Sequence, residues 1–328
     1  LFSDSTGFDR KGSRETTWGG MASLAYKPHP RHEISTTLLR TQSGISESRS
    51  LAGFWQDLTG NSTFETRVLG YKERRLVSLQ GKGKHVLKPL TLEWRGSLSD
   101  NAQEEPDLRY FSNHFTVRDR DGVIDTLYQS PASLYPAPTR FFRDLTEQNG
   151  SMAADVTVPF TQWSGLKSNF KIGFSYVDIT REFRERRFEY DEGRGFSFGD
   201  FEGDIEAYFS ATGIIDTTST GRPVFGNVIK DASSDRSNYD GNKTISAYYA
   251  MIEIPLLKRV RLVGGARLER TDMSTVSQDT SLTPGELDNN DWLPSANLIY
   301  QLADNMNLRA AFTKTLARPT FRELAPYA

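Results

Sequence analysis

Residues 87–98 read LKPLTLEWRGSL and set Leu90, Leu92, Trp94 and Leu98 on even positions against Thr91, Glu93, Arg95 and Ser97 on odd ones. That period of two is the signature of a β-strand with two unlike faces. The split recurs at 166–176, where Leu166, Phe170, Ile172, Phe174 and Tyr176 oppose Lys167, Asn169, Lys171 and Ser175. It returns at 260–269, with Val260, Leu262, Ala266 and Leu268 against Arg261, Arg267 and Glu269, and at 306–313, with Met306, Leu308, Ala310 and Phe312 against Asn307, Arg309 and Thr313. Weaker versions lie near 17–26, 33–42, 66–80, 152–160, 244–254 and 293–300. These segments amount to about ten strands of roughly 9 to 14 residues, longer than the usual soluble mode of about 5 to 6. No stretch of comparable length carries a helical apolar stripe, so the expected fold class is all-β.

Alternation alone does not say which face is wet. A soluble sandwich hides its apolar face in a core, and an outer-membrane barrel turns the same face to lipid. Loop lengths separate the two. Short connections are expected at 27–32, 81–84, 161–165, 255–259 and 301–305, and long ones at 43–64, 99–150, 178–242 and 271–290. Short and long alternate along the chain, as the periplasmic turns and extracellular loops of an antiparallel transmembrane β-barrel do. Structureless loops beyond about 12 to 15 residues are uncommon in compact soluble domains. Charge placement fits as well: the apolar faces of the four clean strands carry no charged residue at their centres, where Lys or Arg costs about 2–4 kcal/mol in lipid. Glu93, Arg95, Lys171, Arg267, Glu269 and Arg309 fall on the opposite face, expected to line a polar lumen. The competing reading makes them solvated charges of a soluble sheet.

Composition narrows the classes. The 328 residues hold 40 Lys+Arg against 42 Asp+Glu, a formal net charge of −2. No local basic block replaces the missing excess, which argues against a nucleic-acid partner. With no Cys, thiol nucleophiles, disulfides and cysteine-held metals are excluded. No apolar run approaches the roughly 18 residues of a membrane-spanning helix. The opening residues, LFSDSTGFDR, lack an initiator Met, a basic start and an apolar signal core, so a longer natural product is expected.

The segment LPSANLIYQLADNMNLRAAFTKTLARPTFREL at 293–324, with Arg318-Pro319 followed by Glu323, resembles the strand, short turn, strand and Arg-Pro run of outer-membrane TonB-dependent receptors. LEWRGSLSDNAQEEPDLRY at 92–110, FKIGFSYVDITREFRERRFEY at 170–190 and VRLVGGARLERTDM at 260–273 are similar to other blocks of that family. The resemblance implies a barrel of about 22 strands with a plugged lumen, of which residues 1–328 would be the middle portion. The plug domain, its TonB-contacting segment and the closing strands are not recognisable here. It also implies active uptake of a scarce ligand such as a ferric siderophore or an oligosaccharide. The partners would then be the TonB complex, acting through the N-terminal region, the ligand and outer-membrane lipid, in the cell outer membrane of a Gram-negative bacterium. A passive porin-like channel and a soluble carbohydrate-binding β-protein are the alternatives.

Signatures of catalysis are scarce. A nucleophile elbow, a His-Glu-x-x-His helix, a Walker-type loop and a complete dinucleotide fingerprint are all absent from the sequence, so no catalytic residue, resident cofactor or metal is expected. Ser164-Gly-Leu-Lys167 matches S-x-x-K only in form, at an expected turn. His29 and His32 flank Pro30 in a short turn, His85 ends a Gly/Lys turn, and His114 stands apart. The richest stretch for binding is 181–204, where Arg186, Arg187, Tyr190, Arg194, Phe196, Phe198 and Phe201 offer aromatic surface and guanidinium forks to a ligand. The plainer reading has those aromatics pack neighbouring loops together. The acidic spacing there does not fit a calcium-loop template. Asp288-Asn289-Asn290-Asp291 reads as a turn, and Arg318-Pro319 as the point where Pro ends a ladder at the rim.

Overall fold

A computed structural model describes residues 6–54, 62–120, 122–129, 137–193 and 203–326. Its strands are, in chain order, β1 (Thr6–His29), β2 (His32–Phe54), β3 (Thr63–Leu87), β4 (Leu90–Arg120), β5 (Val123–Gln129), β6 (Thr139–Thr161), β7 (Lys167–Asp191), β8 (Ile214–Thr217), β9 (Pro223–Phe225), β10 (Val228–Asp231), β11 (Tyr239–Leu257), β12 (Val260–Ser277), β13 (Gly285–Ala303) and β14 (Met306–Thr313). Twelve form one antiparallel sheet in which β1-β2-β3-β4-β6-β7-β11-β12-β13-β14 lie side by side, β5 extends β4 and β10 extends β7. Among the described strands only β8 and β9 pair apart from it. The described residues also form two short α-helices, α1 (Ile205–Ser210) and α2 (Phe321–Leu324), and a 3-10 turn at Asp235–Ser237.

The ten strands of the meander are those the alternation marks out, but all except β14 are much longer than it suggests. β4 runs for 31 residues and β7 for 25. Most of 43–64, 99–150 and 271–290, and both ends of 178–242, are therefore paired strand rather than loop. The cause lies in what wets each face. Beyond the apolar belt both faces of the ribbon meet water, so side-chain alternation fades while the backbone ladder continues, as in the β2 segment Ser43–Ser50 paired to Ser43↔Arg74 and Ser50↔Arg67. Asp288–Asp291 is likewise strand, with Asp291 opposite Glu269 and Asp288 opposite Asp272. The connection it was expected to make falls at residues 278–284.

At the other end the turns are tight, two residues each at 30–31, 88–89, 258–259 and 304–305. The GKGK stretch at 81–84 is not a turn. Its lysines face one side, where Lys84 pairs with Glu93 at 3.0 Å, and its glycines lie under the indole of Trp94 on the other. A Cβ on Gly83 would sit 2.3 Å from the Trp94 ring nitrogen, so the glycine is required by close approach, not by a bend. The five-residue turn 162–166 does need one: Gly165, at φ +77°, donates its N–H to the Gln162 carbonyl at 2.9 Å.

Register carries the two faces across the whole sheet. Leu92, Val156, Ile172, Ala250, Ala266 and Pro294 stand in one lateral row, and Leu98, Leu79 and Leu38 in another. Among the described residues no second layer covers this face; Leu98 is 66% exposed and Leu308 62%. A soluble sandwich would seal such a face, and nothing among the described residues does so. Aromatics bound the belt, with Tyr26 and Tyr300 near the tight turns and Trp18 and Trp292 eight residues further along. At about 3.3 Å per residue and a tilt of about 40°, this is roughly 20 Å, close to the apolar band of about 25 Å on outer-membrane barrels. Directly beyond it the same face turns polar. Arg75 meets Asp100 at 3.6 Å, Thr244 donates to Asp178 at 3.1 Å, Arg270 meets Asp288 at 3.2 Å, and Arg40 lies 5.5 Å from the Trp18 ring centre.

Candidate functional site

The opposite face is polar from edge to edge. Glu93, Arg95, Lys171, Arg267, Glu269 and Arg309 all share it, because each stands an odd step from the apolar positions of its strand and the ladder keeps that parity between β4 and β14. Five of them join in lateral chains of charge. Glu93 sits between Lys84 at 3.0 Å and Lys171 at 3.8 Å. Arg95 reaches Asp155 at 3.4 Å, and the Tyr249 hydroxyl donates to the same carboxylate. Gly173 makes room for that bond, since a Cβ there would lie 2.3 Å from the Tyr249 ring. Arg267 stands 5.8 Å from the Tyr249 ring centre and donates to Ser175 at 3.0 Å and to Glu269 at 2.6 Å. Arg309, on the edge strand opposite Ile299, is exposed and stands outside these chains.

Arg318 closes the row. It pairs with Glu269, whose side chain is only 7% exposed, and donates to the Thr271 hydroxyl at 2.8 Å. The Arg-Pro block therefore acts otherwise than expected: the ladder has already ended at Thr313, and residues 314–326 fold back over the polar face. Thr320 caps α2 and Glu323 returns the hydrogen bond in a capping box. Phe321, buried against Tyr239 and Met273, has the Arg181 and Lys243 cations 5.0 and 5.4 Å from its ring centre. Sequence reasoning overlooked Asp155 and Tyr249, and read Arg318 as a rim residue instead of a partner of Glu269. Register brings Asp155 and Tyr249 together across 94 residues, and the returning segment delivers Arg318.

Further along, the binding stretch divides. Arg186 and Arg187 point to opposite faces of β7, because successive strand residues must. Arg186 lies 5.7 Å from the Phe142 ring centre on the apolar side, and Arg187 lies 5.8 Å from Phe141 on the polar side, where it pairs with Glu189. Tyr190 is on the Arg186 side and buried, packed with Phe111, Ile205, Tyr208 and Phe209 beneath α1. The structure thus does not gather these three into one cleft, and for Tyr190 packing is the observed role. Arg194, Phe196, Phe198 and Phe201 lie outside the described residues. Ser164 lies within the plain turn 162–166, as expected, and Lys167 begins β7. His85 accepts from Trp94 at 3.1 Å and meets His32 at 3.1 Å within strand rather than in a turn. Among the described residues no cluster could hold a metal.

The α1 cap is pinned electrostatically. Asp107 accepts two hydrogen bonds from Arg140, at 2.7 and 2.8 Å, and one from Arg109 at 2.7 Å, and Arg109 also holds Glu206 on α1. Burial raises the Asp107 pKa, but the hydrogen bonds from both arginines outweigh it and hold the carboxyl below its usual range. Its stabilisation is therefore complete above the unfolded pKa of about 3.9 and fades as pH falls toward the lower folded value. Amide exchange of residues 205–210 in the full-length protein should be flat from pH 7 to 5, after correction for intrinsic rates, and accelerate below about pH 4. Asp107→Asn should show the fast exchange already at pH 7. Unchanged protection at pH 3 would remove this pin from the account.

Comparison with known proteins follows the same geometry. Three solved structures align with nearly the whole chain. The alcaligin outer membrane receptor FauA from Bordetella pertussis is 12% identical, with 94% of this chain and 43% of that one covered at a TM-score of 0.45. The siderophore receptor PiuA from Acinetobacter baumannii is 9% identical, with 94% and 48% covered at 0.49. The ferripyoverdine receptor of the outer membrane of Pseudomonas aeruginosa is 11% identical, with 94% and 41% covered at 0.46. The chain thus spans less than half the length of these structures. No curated protein matches it. The family model described as "TonB dependent receptor-like, beta-barrel" matches residues 6–328. That match spans nearly the whole antiparallel meander, and the chain belongs to the TonB-dependent receptor β-barrel family.

Proposed function

We propose that residues 1–328 are part of the wall of an outer-membrane receptor of a Gram-negative bacterium, which takes up a scarce small ligand with energy supplied through the TonB complex. The observation carrying this reading is the two-faced sheet: a bare apolar belt of bilayer height backed by a continuous charged face. The belt meets lipid. The charged face, with Glu93, Arg95, Lys171, Arg267, Glu269 and Arg309, lines the interior, and the tight turns are periplasmic. β1 and β14 are the sheet's two edges, and unpaired backbone groups facing hydrocarbon cost several kcal/mol each. In the assembled barrel both edges are therefore paired with further strands. The wall acts as scaffold and selectivity surface, not as an enzyme. Of the binding residues expected at 181–204, Arg187 faces the interior and meets an arriving ligand, whereas Tyr190 holds the loop in place. A ferric siderophore or an oligosaccharide is the class of cargo.

Growth of a deletion strain on defined limiting iron and carbon sources tests the proposal. The expected result is a defect on one source that complementation repairs and that loss of TonB reproduces. Uptake that persists without TonB and rises linearly with external concentration would favour a passive pore. Recovery of the full-length product in the aqueous fraction without detergent would end the membrane reading altogether.

A further inference from the structure

At the end of the sheet that carries the tight turns, three side chains from neighbouring strands join on the apolar-belt face. His32 of β2 and His85 of β3 stand opposite each other, one step nearer the turns than Tyr26, and Trp94 of β4 reaches them from the Tyr26 row. The Trp94 indole nitrogen donates to His85 Nε2 at 3.1 Å, and the Nδ1 atoms of His85 and His32 lie 3.1 Å apart. The indole reaches its place over Gly81 and Gly83, where a Cβ would stand 3.5 and 2.3 Å from it. Donor chemistry fixes the protons. An indole N–H only donates, so His85 Nε2 offers a lone pair and neutral His85 carries its hydrogen on Nδ1. That hydrogen points at His32 Nδ1, which accepts it, and the hydrogen of neutral His32 is on Nε2. Both rings are therefore neutral, and with the Trp94 bond made His85 Nδ1 has no lone pair for a metal.

We infer that Trp94, His85 and His32 form a proton-sensitive tie across β4, β3 and β2, which holds when both rings are neutral and releases on acidification. One more proton does not fit. It sets two N–H groups face to face, either between the two rings or, if the hydrogens exchange, between Trp94 and His85. Histidine is the side chain that takes up a proton between about pH 5 and 8. The surroundings do not favour the charged ring. On the same face stand Tyr26, Ile34, Leu92 and His29, whose ring centre is 5.8 Å from that of His32 and whose Nδ1 accepts from the Arg31 backbone N–H at 3.1 Å. The adjoining turns carry the cations Arg31 and Lys88. The acids of these strands, Glu33 and Glu93, fall on the opposite face, where Lys27 and Lys84 hold them at 3.0 Å each. The tie is therefore complete at neutral and higher pH and is lost as pH falls through the imidazole range.

The indole N–H resonance of Trp94 tests this in the full-length receptor, labelled with ¹⁵N-tryptophan in detergent and assigned by its loss in Trp94→Phe. The resonance should stay in place from pH 8 to 7 and move between about pH 7 and 5. Over the same range the Val86 amide, which donates to the Arg31 carbonyl at 2.8 Å, should exchange about 3- to 10-fold faster than its intrinsic rate accounts for, the worth of one hydrogen bond. His85→Phe should place the indole at its acid position at every pH. His32→Phe should keep the Trp94 bond and shift the midpoint, since a proton on His85 then meets no second ring. His29→Gln, outside the tie, should titrate as the wild type does. A resonance that stays still from pH 8 to 5, titrates in His85→Phe, is unchanged in His32→Phe or is lost from titration in His29→Gln would overturn the inference. Growth and uptake do not enter these readouts, so the receptor reading stands or falls separately.

Discussion

Arginine in place of Ile252 should destabilise the folded barrel by about 2–4 kcal/mol, the cost of a cation facing lipid near the bilayer midplane. Ile252 stands on the apolar face between Phe170 of β7 and Gly264 of β12, midway between the two aromatic borders. The new guanidinium has no counter-charge within that belt. Snorkelling toward the rim means crossing the row of Tyr248 and Leu268, both exposed on the same face. Val263→Arg is the informative control. Val263 is one step away on β12 but on the charged face, opposite Glu253 and Asn297, where an arginine finds water and an anion. It should cost less than about 1 kcal/mol. Urea unfolding of the full-length receptor in lipid vesicles measures both. Equal losses for the two variants would mean that the faces are assigned wrongly.

The same parity explains what the amino-acid sequence reveals and what it conceals. Within the belt, lipid on one side and water on the other force strict alternation, so 87–98, 166–176 and 260–269 are legible as strands and their faces can be assigned by counting. Beyond the belt that contrast is gone. β4 continues through SDNAQEEPDLRY with no periodic signal, held by pairing such as Asn101↔Glu147 and Gln103↔Leu145, and it reads as loop. Glycine misleads for a related reason: Gly81 and Gly83 look like a turn when they are clearance for Trp94. The partners of the charged face are concealed by distance along the chain. Asp155 and Tyr249 carry no motif, and the sheet alone makes neighbours of Asp155 and Gly173, then of Gly173 and Tyr249. Local sequence places Arg186 and Arg187 side by side, yet the strand sends them to opposite faces.

Glu269→Leu should cost the fold about 3–5 kcal/mol, because it leaves two partly buried guanidiniums without their shared counter-charge. Glu269 receives Arg267 from two residues before it and Arg318 from the returning segment, and its side chain is 7% exposed. Arg318→Met alone should cost less, since the carboxylate keeps Arg267 at 2.6 Å. The diagnostic variant is the pair Glu269→Leu with Arg318→Met. Removing the orphaned cation together with its anion should recover part of the single-variant loss, giving a coupling of about 0.5–3 kcal/mol in a double-mutant cycle. The cycle also reports on the returning segment. If Arg318 tethers residues 314–326 to the interior wall, proteolysis between Thr313 and Phe321 in the full-length receptor should accelerate in Arg318→Met and in Glu269→Leu, but not in Arg309→Met. Arg309 shares the charged face but stands at the edge strand, away from Glu269. Additive losses with no change in cleavage would show that Arg318 and Glu269 are neighbours that do not depend on each other.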